Sequence, residues 1–427
     1  MSLSPKERVW LEIPASPWSL TSWPRCRKGG EGVNVLFVAA EGVPFSKTGG
    51  LADVIGALPK ELQKLGVNVR VVLPKYGDTP PQYEKEMELV HRFSVQLGWR
   101  NQYCGVLKLV HEGVVFYFID NESHFKRPGT YGFFDDGERF AFFNRAVLEA
   151  LPFLDFQPDV IHCHDWHAGM IPVMLTQYRN QEFFRSIKTV FTIHNLQYQG
   201  VFPKSILGDL LGLGWEHFNV NGVEYHDQVS FMKGGLNYSN ALTTVSPTYA
   251  QEIQTPFYGA DLEGVLARRQ SFLSGIINGI DTEEWNPQTD PYIVRNYTWR
   301  SLKRKEENKV ALQEELGLTQ DPGIPMLGMV TRLARQKGLD LVAHVIQEIL
   351  ELNLQIVVLG TGEEQFEQMF KHFAASHPDQ VSANIRFENV LAHKIYAASD
   401  MFLMPSLFEP CGLGQLIAMR YGSLPIV

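Results

Sequence analysis

The sequence predicts an α/β protein of two doubly wound, Rossmann-like domains, on three observations. Strand-like and helix-like patterns alternate from Val33 to the last residue, the signature of parallel sheets covered by helices. The 427 residues exceed what a single core ordinarily supports. The alternation breaks once, from Ile276 to Asn296, where turn-forming, polar and proline residues gather. The expected division is an N-terminal extension over 1–32, a first domain over 33–280, a linker over 281–300 and a second domain over 301–427.

Composition narrows the function classes. With 44% apolar and 20% charged residues the chain is an ordinary globular protein, and no apolar run reaches the ~18 residues that span a bilayer. A net charge of -9 argues against a general binder of nucleic acid or anionic membrane. Cys26, Cys104, Cys163 and Cys411 lack any C-x-x-C spacing, so neither a zinc site nor a disulfide framework is expected, and a reducing cytoplasm is the simplest home. Residues 1–32 hold three tryptophans but no apolar signal core, and read as a disordered extension or a consequence of start-site choice.

The first element is the apolar run Val33–Ala40, a buried parallel strand. Leu51, Val54, Ile55, Leu58, Leu62 and Leu65 then recur at helical spacing up to Gly66. Between them lies Lys47-Thr48-Gly49-Gly50. Paired glycines at a helix start admit a ligand to the backbone, where free N–H groups favour an anion, and Lys47 adds a positive charge. Val67–Pro74 is a second strand, Val106–Val110 and Val114–Ile119 form a hairpin, and Glu138–Leu151 is helical.

His162, His164, Asp165 and His167 cluster where a strand over 158–164 gives way to a helix, at the sheet rim where ligands collect. They lack a clean helical metal-ligand pair, so no metal is expected; a structural role and a sugar-binding role both remain open. Strand Lys188–Ile193 delivers His194 and Asn195 to the same rim, followed by the polar and aromatic loop Leu196–Gly200. Phe231–Leu236 and Leu242–Pro247 read equally as core helix and strand or as ligand contacts.

In the second half Ser301–Gly317 reads as a helix, and Pro325–Val330, Leu354–Leu359, Asn384–Glu388 and Met401–Pro405 as strands. Arg332 and Lys337 follow the first of these: a planar fork and a compact charge suited to a diphosphate, or two solvated cations. Gly360-Thr361-Gly362 opens a helix but has Gln365 where a dinucleotide fingerprint needs glycine, so that reading is rejected. Asn389–Tyr396 is a candidate wall for a base. Glu409, Cys411, Gly412 and Leu413 place a carboxylate and a helix start just past the Met401–Pro405 strand.

The motif Phe45-Ser46-Lys47-Thr48-Gly49-Gly50-Leu51-Ala52-Asp53-Val54 resembles the N-terminal signature of bacterial glycogen synthases and plant starch synthases, glucosyltransferases that use ADP-glucose. Residues 162–169 are similar to that family's H-x-H-D-W-H-A-G motif, 331–338 to its S-R-L-x-x-Q-K-G block, and Glu409-Pro410-Cys411-Gly412-Leu413 is nearly diagnostic. The resemblance implies a GT-B architecture, ADP-glucose and an α-1,4-glucan as substrates, retention of configuration and no cofactor. It implies catalytic roles for Lys47, His194, Arg332, Lys337 and Glu409. For donor binding it implies Lys47, Gly49, Gly50, Arg332, Lys337, Gly360, Gly362, Glu409, Cys411, Gly412 and Leu413. For sugar or acceptor it implies Asp53, Asp165, His194, Asn195 and Asn278. Two departures stand out: Leu407 replaces the family's common arginine, and the chain ends at Val427 in what looks like a mid-domain strand. An incomplete second domain with weak or no activity is therefore expected. The alternatives are a related retaining glycosyltransferase and a non-catalytic glucan- or nucleotide-binding fragment.

Overall fold

A computed structural model describes residues 32–427, so the expected extension, Gly32 apart, lies outside the described residues. The chain opens with β1 (Asn34–Val38), β2 (Asn68–Pro74), β3 (Glu88–Leu97), β4 (Arg100–His111), β5 (Val114–Asp120), β6 (Val160–His164) and β7 (Lys188–Ile193). A small antiparallel sheet of β8 (Val201–Pro203), β9 (Glu224–Tyr225) and β10 (Gln228–Ser230) follows, then β11 (Ala241–Thr244) and β12 (Leu273–Gly275). Among the described residues the large first sheet has nine strands, ordered β12-β11-β7-β6-β1-β2-β5-β4-β3. Its centre is parallel, and β3, β4 and β5 pair antiparallel at one side.

Strand β1 is apolar from Val35 onward because both its faces are covered. Leu36 and Val38 enter one core with the Asp136–Ala150 helix, and Phe37 enters another with the Gly50–Lys64 helix. The chain winds from β1 outward to β2 and β5, then returns to place β6 on the other side of β1. That reversal opens a crevice beyond the carboxyl ends of β1 and β6, where open α/β sheets bind ligands.

The second sheet repeats the plan with β13 (Met326–Val330), β14 (Gln355–Leu359), β15 (Val381–Asn384), β16 (Met401–Leu403) and β17 (Leu424–Ile426), ordered β15-β14-β13-β16-β17 and parallel throughout. Its reversal falls between β13 and β16. Gly328 sits mid-β13 because the helix Asn389–Ala398 packs directly over it: a Cβ there would lie 2.2 Å from Ser399 Oγ.

Two expectations are corrected. The strand read at Asn384–Glu388 is β15, three residues earlier: Val381 is buried while Phe387 is 68% exposed, so the aromatic had imitated a strand residue. The helix read from Ser301 is regular only over Lys305–Leu316, behind a short 3₁₀ turn, Trp299–Arg304, capped by Thr298 and Ser301. No helix among the described residues is long and apolar enough to cross a membrane.

Buried Lys305 ties this half together. Its Nζ donates to Tyr396 O (2.9 Å), Ala397 O (2.9 Å) and Ser423 Oγ (3.1 Å), matching three donors to three acceptors at a helix C-terminus. Lys305→Met removes all three bonds, leaving Tyr396 O only its bond from Ser423 Oγ at 2.9 Å, and is expected to destabilise the fold by about 3 kcal/mol. A lowered urea midpoint checks this; an unchanged midpoint refutes it.

Candidate functional site

Beyond β1 the chain reaches Glu41, only 1% exposed, which sequence reasoning passed over. Its carboxylate accepts the N–H groups of Thr48 and Gly49, the latter at 3.2 Å, and Tyr131 Oη lies 3.5 Å away. Burial pushes the Glu41 carboxyl up to about 7, against the opposing pull of those N–H groups. The expectation of free N–H groups in the glycine loop is thus corrected: those of Thr48 and Gly49 are bonded to a carboxylate of the chain itself. A sequence signal existed, since Glu41 is the first polar residue after an apolar strand at its carboxyl end. Tyr131 gave none.

Lys47 Nζ donates to Asp53 Oδ1 at 2.6 Å, one helical turn into the helix that the glycines open. Burial raises the Asp53 carboxyl, with Lys47 opposing.

At the ends of β6 and β7, Asp165 adopts φ 56°, ψ 179°, a conformation strained for any residue with a side chain. Its carboxylate accepts N–H from His194 (2.7 Å) and Asn195 (3.4 Å), so it fixes the loop carrying both. Burial pushes Asp165 up to about 7, over the two N–H groups that favour its anion. His194 Nε2 lies 3.0 Å from His164 Nδ1, and burial drives the His194 imidazole down to about 3, leaving it neutral. His162 stacks on His164 at 4.1 Å and bonds Thr192 Oγ1 at 2.6 Å, while His167 stacks on Trp166 at 3.9 Å. His162, His164 and His167 are therefore packed into the sheet rim. Asn195 Oδ1 accepts the Gln197 N–H at 3.0 Å and shapes its own turn.

Across the reversal of the second sheet, Lys337 Nζ donates to Glu409, and Ser406 Oγ donates to the same Glu409 oxygen at 2.7 Å. Gly338 permits the approach of these two loops: at φ +68° its Cβ would fall 1.8 Å from Pro405 O. Gly360 and Gly362 press on the Arg332 loop, where added Cβ atoms would lie 1.8 Å from Thr331 O and 2.2 Å from Leu333 O. Gly362 N–H is bonded to Glu367 at 2.9 Å, so this turn holds Arg332's loop in place. Leu407, where the sequence lacks an arginine, is 63% exposed, and its N–H bonds Gln336 O at 2.9 Å. Gly412, at φ +81°, starts the Leu413–Arg420 helix. The Asn389–Ala398 helix buries Leu391, His393, Ile395 and Tyr396 in its own half.

The two rims meet. A Cβ on Gly50 would lie 3.0 Å from Leu413 Cδ1. The main chain of Asn278 hydrogen-bonds the Cys411 thiol, which burial pushes up. The Phe408 ring stands 6.3 Å from that of Tyr258. Arg332 Nη1 donates to Tyr198 Oη at 3.0 Å, its guanidinium 5.6 Å above that ring. Gly50 is thus brought to Leu413, Asn278 to Cys411, and Lys337 to Glu409. Arg332 instead faces Tyr198 in the other half, and Lys47 faces Asp53. The gap therefore holds two helix starts and the Lys337–Glu409 pair, with Arg332 reaching across it to Tyr198 of the loop that follows His194. Such a site can hold a diphosphate and a polyhydroxyl group together.

Known proteins resemble this chain along most of its length. The starch synthase catalytic domain family matches residues 34–268, and the glycosyl transferases group 1 family matches 324–427. A glycogen synthase of Desulforamulus reducens is 58% identical over 92% of this chain and 82% of its own length. One from Alkaliphilus metalliredigens is 56% identical over 92% and 83%. Among solved structures, the catalytic domain of starch synthase IV from Arabidopsis thaliana, bound to ADP and acarbose, superposes with TM-score 0.88 at 38% identity, over 92% of this chain and 82% of its own. The two facing α/β domains are accordingly a GT-B fold, and the chain belongs to the glycogen and starch synthase family of glucosyltransferases.

Proposed function

We propose that the chain transfers glucose from ADP-glucose to the non-reducing end of an α-1,4-glucan, with retention of configuration and without a cofactor. The observation that carries this reading is the meeting of the glycine loop with the Leu413 helix start, beside the Lys337–Glu409 pair. The ADP and acarbose bound to the starch synthase IV domain support the choice of nucleotide and glucan. In this reading Lys47, Gly49, Gly50, Arg332, Lys337, Cys411, Gly412 and Leu413 surround the donor diphosphate, and Gly360 and Gly362 hold Arg332 toward it. Glu409 orients Lys337 and takes a glucose hydroxyl. Asp53, Asn195 and Asn278 face sugar or acceptor, with Asp165 fixing the His194 loop.

The neutral His194 is a poor proton donor near neutral pH, so departure of ADP relies on the cations that offset its developing charge. The His194 main-chain carbonyl then faces the anomeric carbon, and closure of residues 33–280 against 301–427 about a linker over 281–300 keeps water from the activated sugar. The reaction belongs to the cytoplasm, with no nucleic-acid or membrane partner.

Radiolabelled ADP-glucose and glycogen are expected to give labelled polymer that an α-1,4-specific glucosidase fully digests. Labelling from UDP-glucose in preference to ADP-glucose would refute the donor, and resistance to the glucosidase would refute retention.

A further inference from the structure

One pair of rim histidines does more than pack. His164, at the end of β6, and His194, just past β7, face each other with Nδ1 of the first 3.0 Å from Nε2 of the second. Burial drives both imidazoles down, so both rings are neutral. A hydrogen bond between two ring nitrogens holds one proton, carried by one ring or the other.

The surroundings of each ring decide which. His164 is 1% exposed, and its Nε2 is buried with no hydrogen-bond partner among the described residues. The neighbouring rings are Phe37, with centroids 4.9 Å apart, and the stacked His162, whose own Nε2 is engaged with Thr192 Oγ1. His194 is the more exposed of the pair at 9%, and its Nδ1 is not among the buried, unpartnered nitrogens of this rim. At the carboxyl end of β7, that open side is the crevice where ligands collect.

Two arrangements compete. With the shared proton on His194 Nε2, His164 carries its own proton on Nε2, a buried N–H with no acceptor. With the shared proton on His164 Nδ1, only a lone pair is left unpaired at Nε2. His194 then carries its proton on Nδ1, where water or a ligand can accept it. A buried N–H without an acceptor is the rarer defect, so the second arrangement is the one that fits. His167 has no such choice, since neither of its nitrogens has a partner among the described residues.

We propose that His164 is a positioning residue: its Nδ1–H donates to His194 Nε2, fixes His194 as the Nδ1–H tautomer and aims that N–H at an oxygen of the glucosyl group. Held in this way, the His194 ring donates a hydrogen bond and cannot accept one on the crevice side. The tautomer follows from the fold; its use on the glucosyl group rests on the proposed reaction.

The first test is the ring-nitrogen spectrum of protein labelled with ¹⁵N-histidine, in which long-range proton–nitrogen correlations separate protonated from bare nitrogens. His194→Asn identifies the His194 signals. Near neutral pH, His194 is expected to be protonated on Nδ1 and bare on Nε2. The reverse pattern overturns the proposal, whether or not the chain is active. The second test is kinetic. His164→Leu removes the donor and is expected to lower kcat/KM for ADP-glucose about five- to tenfold, the scale of one neutral hydrogen bond, with the KM for glycogen within about twofold. Its His194 signals should report a mixture of both tautomers. His164→Asn offers an amide N–H close to the lost Nδ1–H and is expected to return kcat/KM to within about threefold of the wild type, with His194 again protonated on Nδ1. An unchanged kcat/KM in His164→Leu overturns the proposal. So does a loss in His164→Leu while His194 keeps the Nδ1–H form, because His164 would then act by packing alone. Should these variants fail to fold, the wild-type spectrum decides. A wild-type chain that transfers no glucose refutes the proposed reaction, and the same spectrum still judges the tautomer.

Discussion

Lys337→Ala is expected to lower kcat/KM for ADP-glucose about 10³-fold, the scale set by losing one fixed charge on a developing anion together with its ground-state contact. Two effects add. The leaving diphosphate loses a cation, and Glu409 loses the partner that neutralises it at the same rim. An unpaired carboxylate there repels the phosphate that Lys337 would have held. Glu409→Gln should therefore cost less than Lys337→Ala, and Lys337→Ala/Glu409→Gln should be faster than Lys337→Ala alone. Initial rates of glucose transfer, corrected for folded fraction by circular dichroism, decide it. A loss under threefold in Lys337→Ala would remove this lysine from the reaction.

What could be read from the sequence was whatever lies along one segment. The apolar run before the glycine loop, the helix after it and the strand-then-site pattern at Arg332 and Lys337 are local, and the structure carries each of those elements. The hairpin β4–β5 was legible, but β3 was not read: at the sheet edge only Val95 and Leu97 are buried, and the alternation of Phe93, Val95 and Leu97 with Ser94 and Gln96 covers only its second half. Side-chain pairings were hidden even over short spans. Nothing in the order of residues says that Glu41 would fill the N–H groups of Thr48 and Gly49, or that Lys47 would rest on Asp53. The open choice between structural and sugar-binding histidines depends on which way each ring points. In the fold the side chains of His162, His164 and His167 pack into the rim, and His194, thirty residues after His164, is hydrogen-bonded to it.

Asp165 lies on the same divide, and its substitution is the second large effect. Asp165→Ala is expected to reduce kcat about 10²- to 10³-fold with little change in donor KM. The His194 and Asn195 N–H groups lose their acceptor, and the loop carrying the carbonyl proposed to face the anomeric carbon is no longer held. Asp165→Gly separates this from backbone strain. Glycine is at ease at φ 56°, ψ 179°, so it should be about 1–3 kcal/mol more stable than the alanine variant yet no more active. Asp165→Asn keeps an acceptor oxygen and tests the charge. The wild-type carboxyl is raised from 3.8 to about 7, so its folded form holds a proton the unfolded chain has released across that window. Wild-type stability attributable to this group is then full below pH 3.8 and is lost as pH rises through about 7. Asparagine does not titrate, so the stability of Asp165→Asn relative to wild type should climb across that range. A difference independent of pH would mean that Asp165 is ionised throughout, held by its two N–H donors against its burial. An Asp165→Gly enzyme with wild-type kcat would mean that the conformation at this position, rather than its carboxylate, sets the loop.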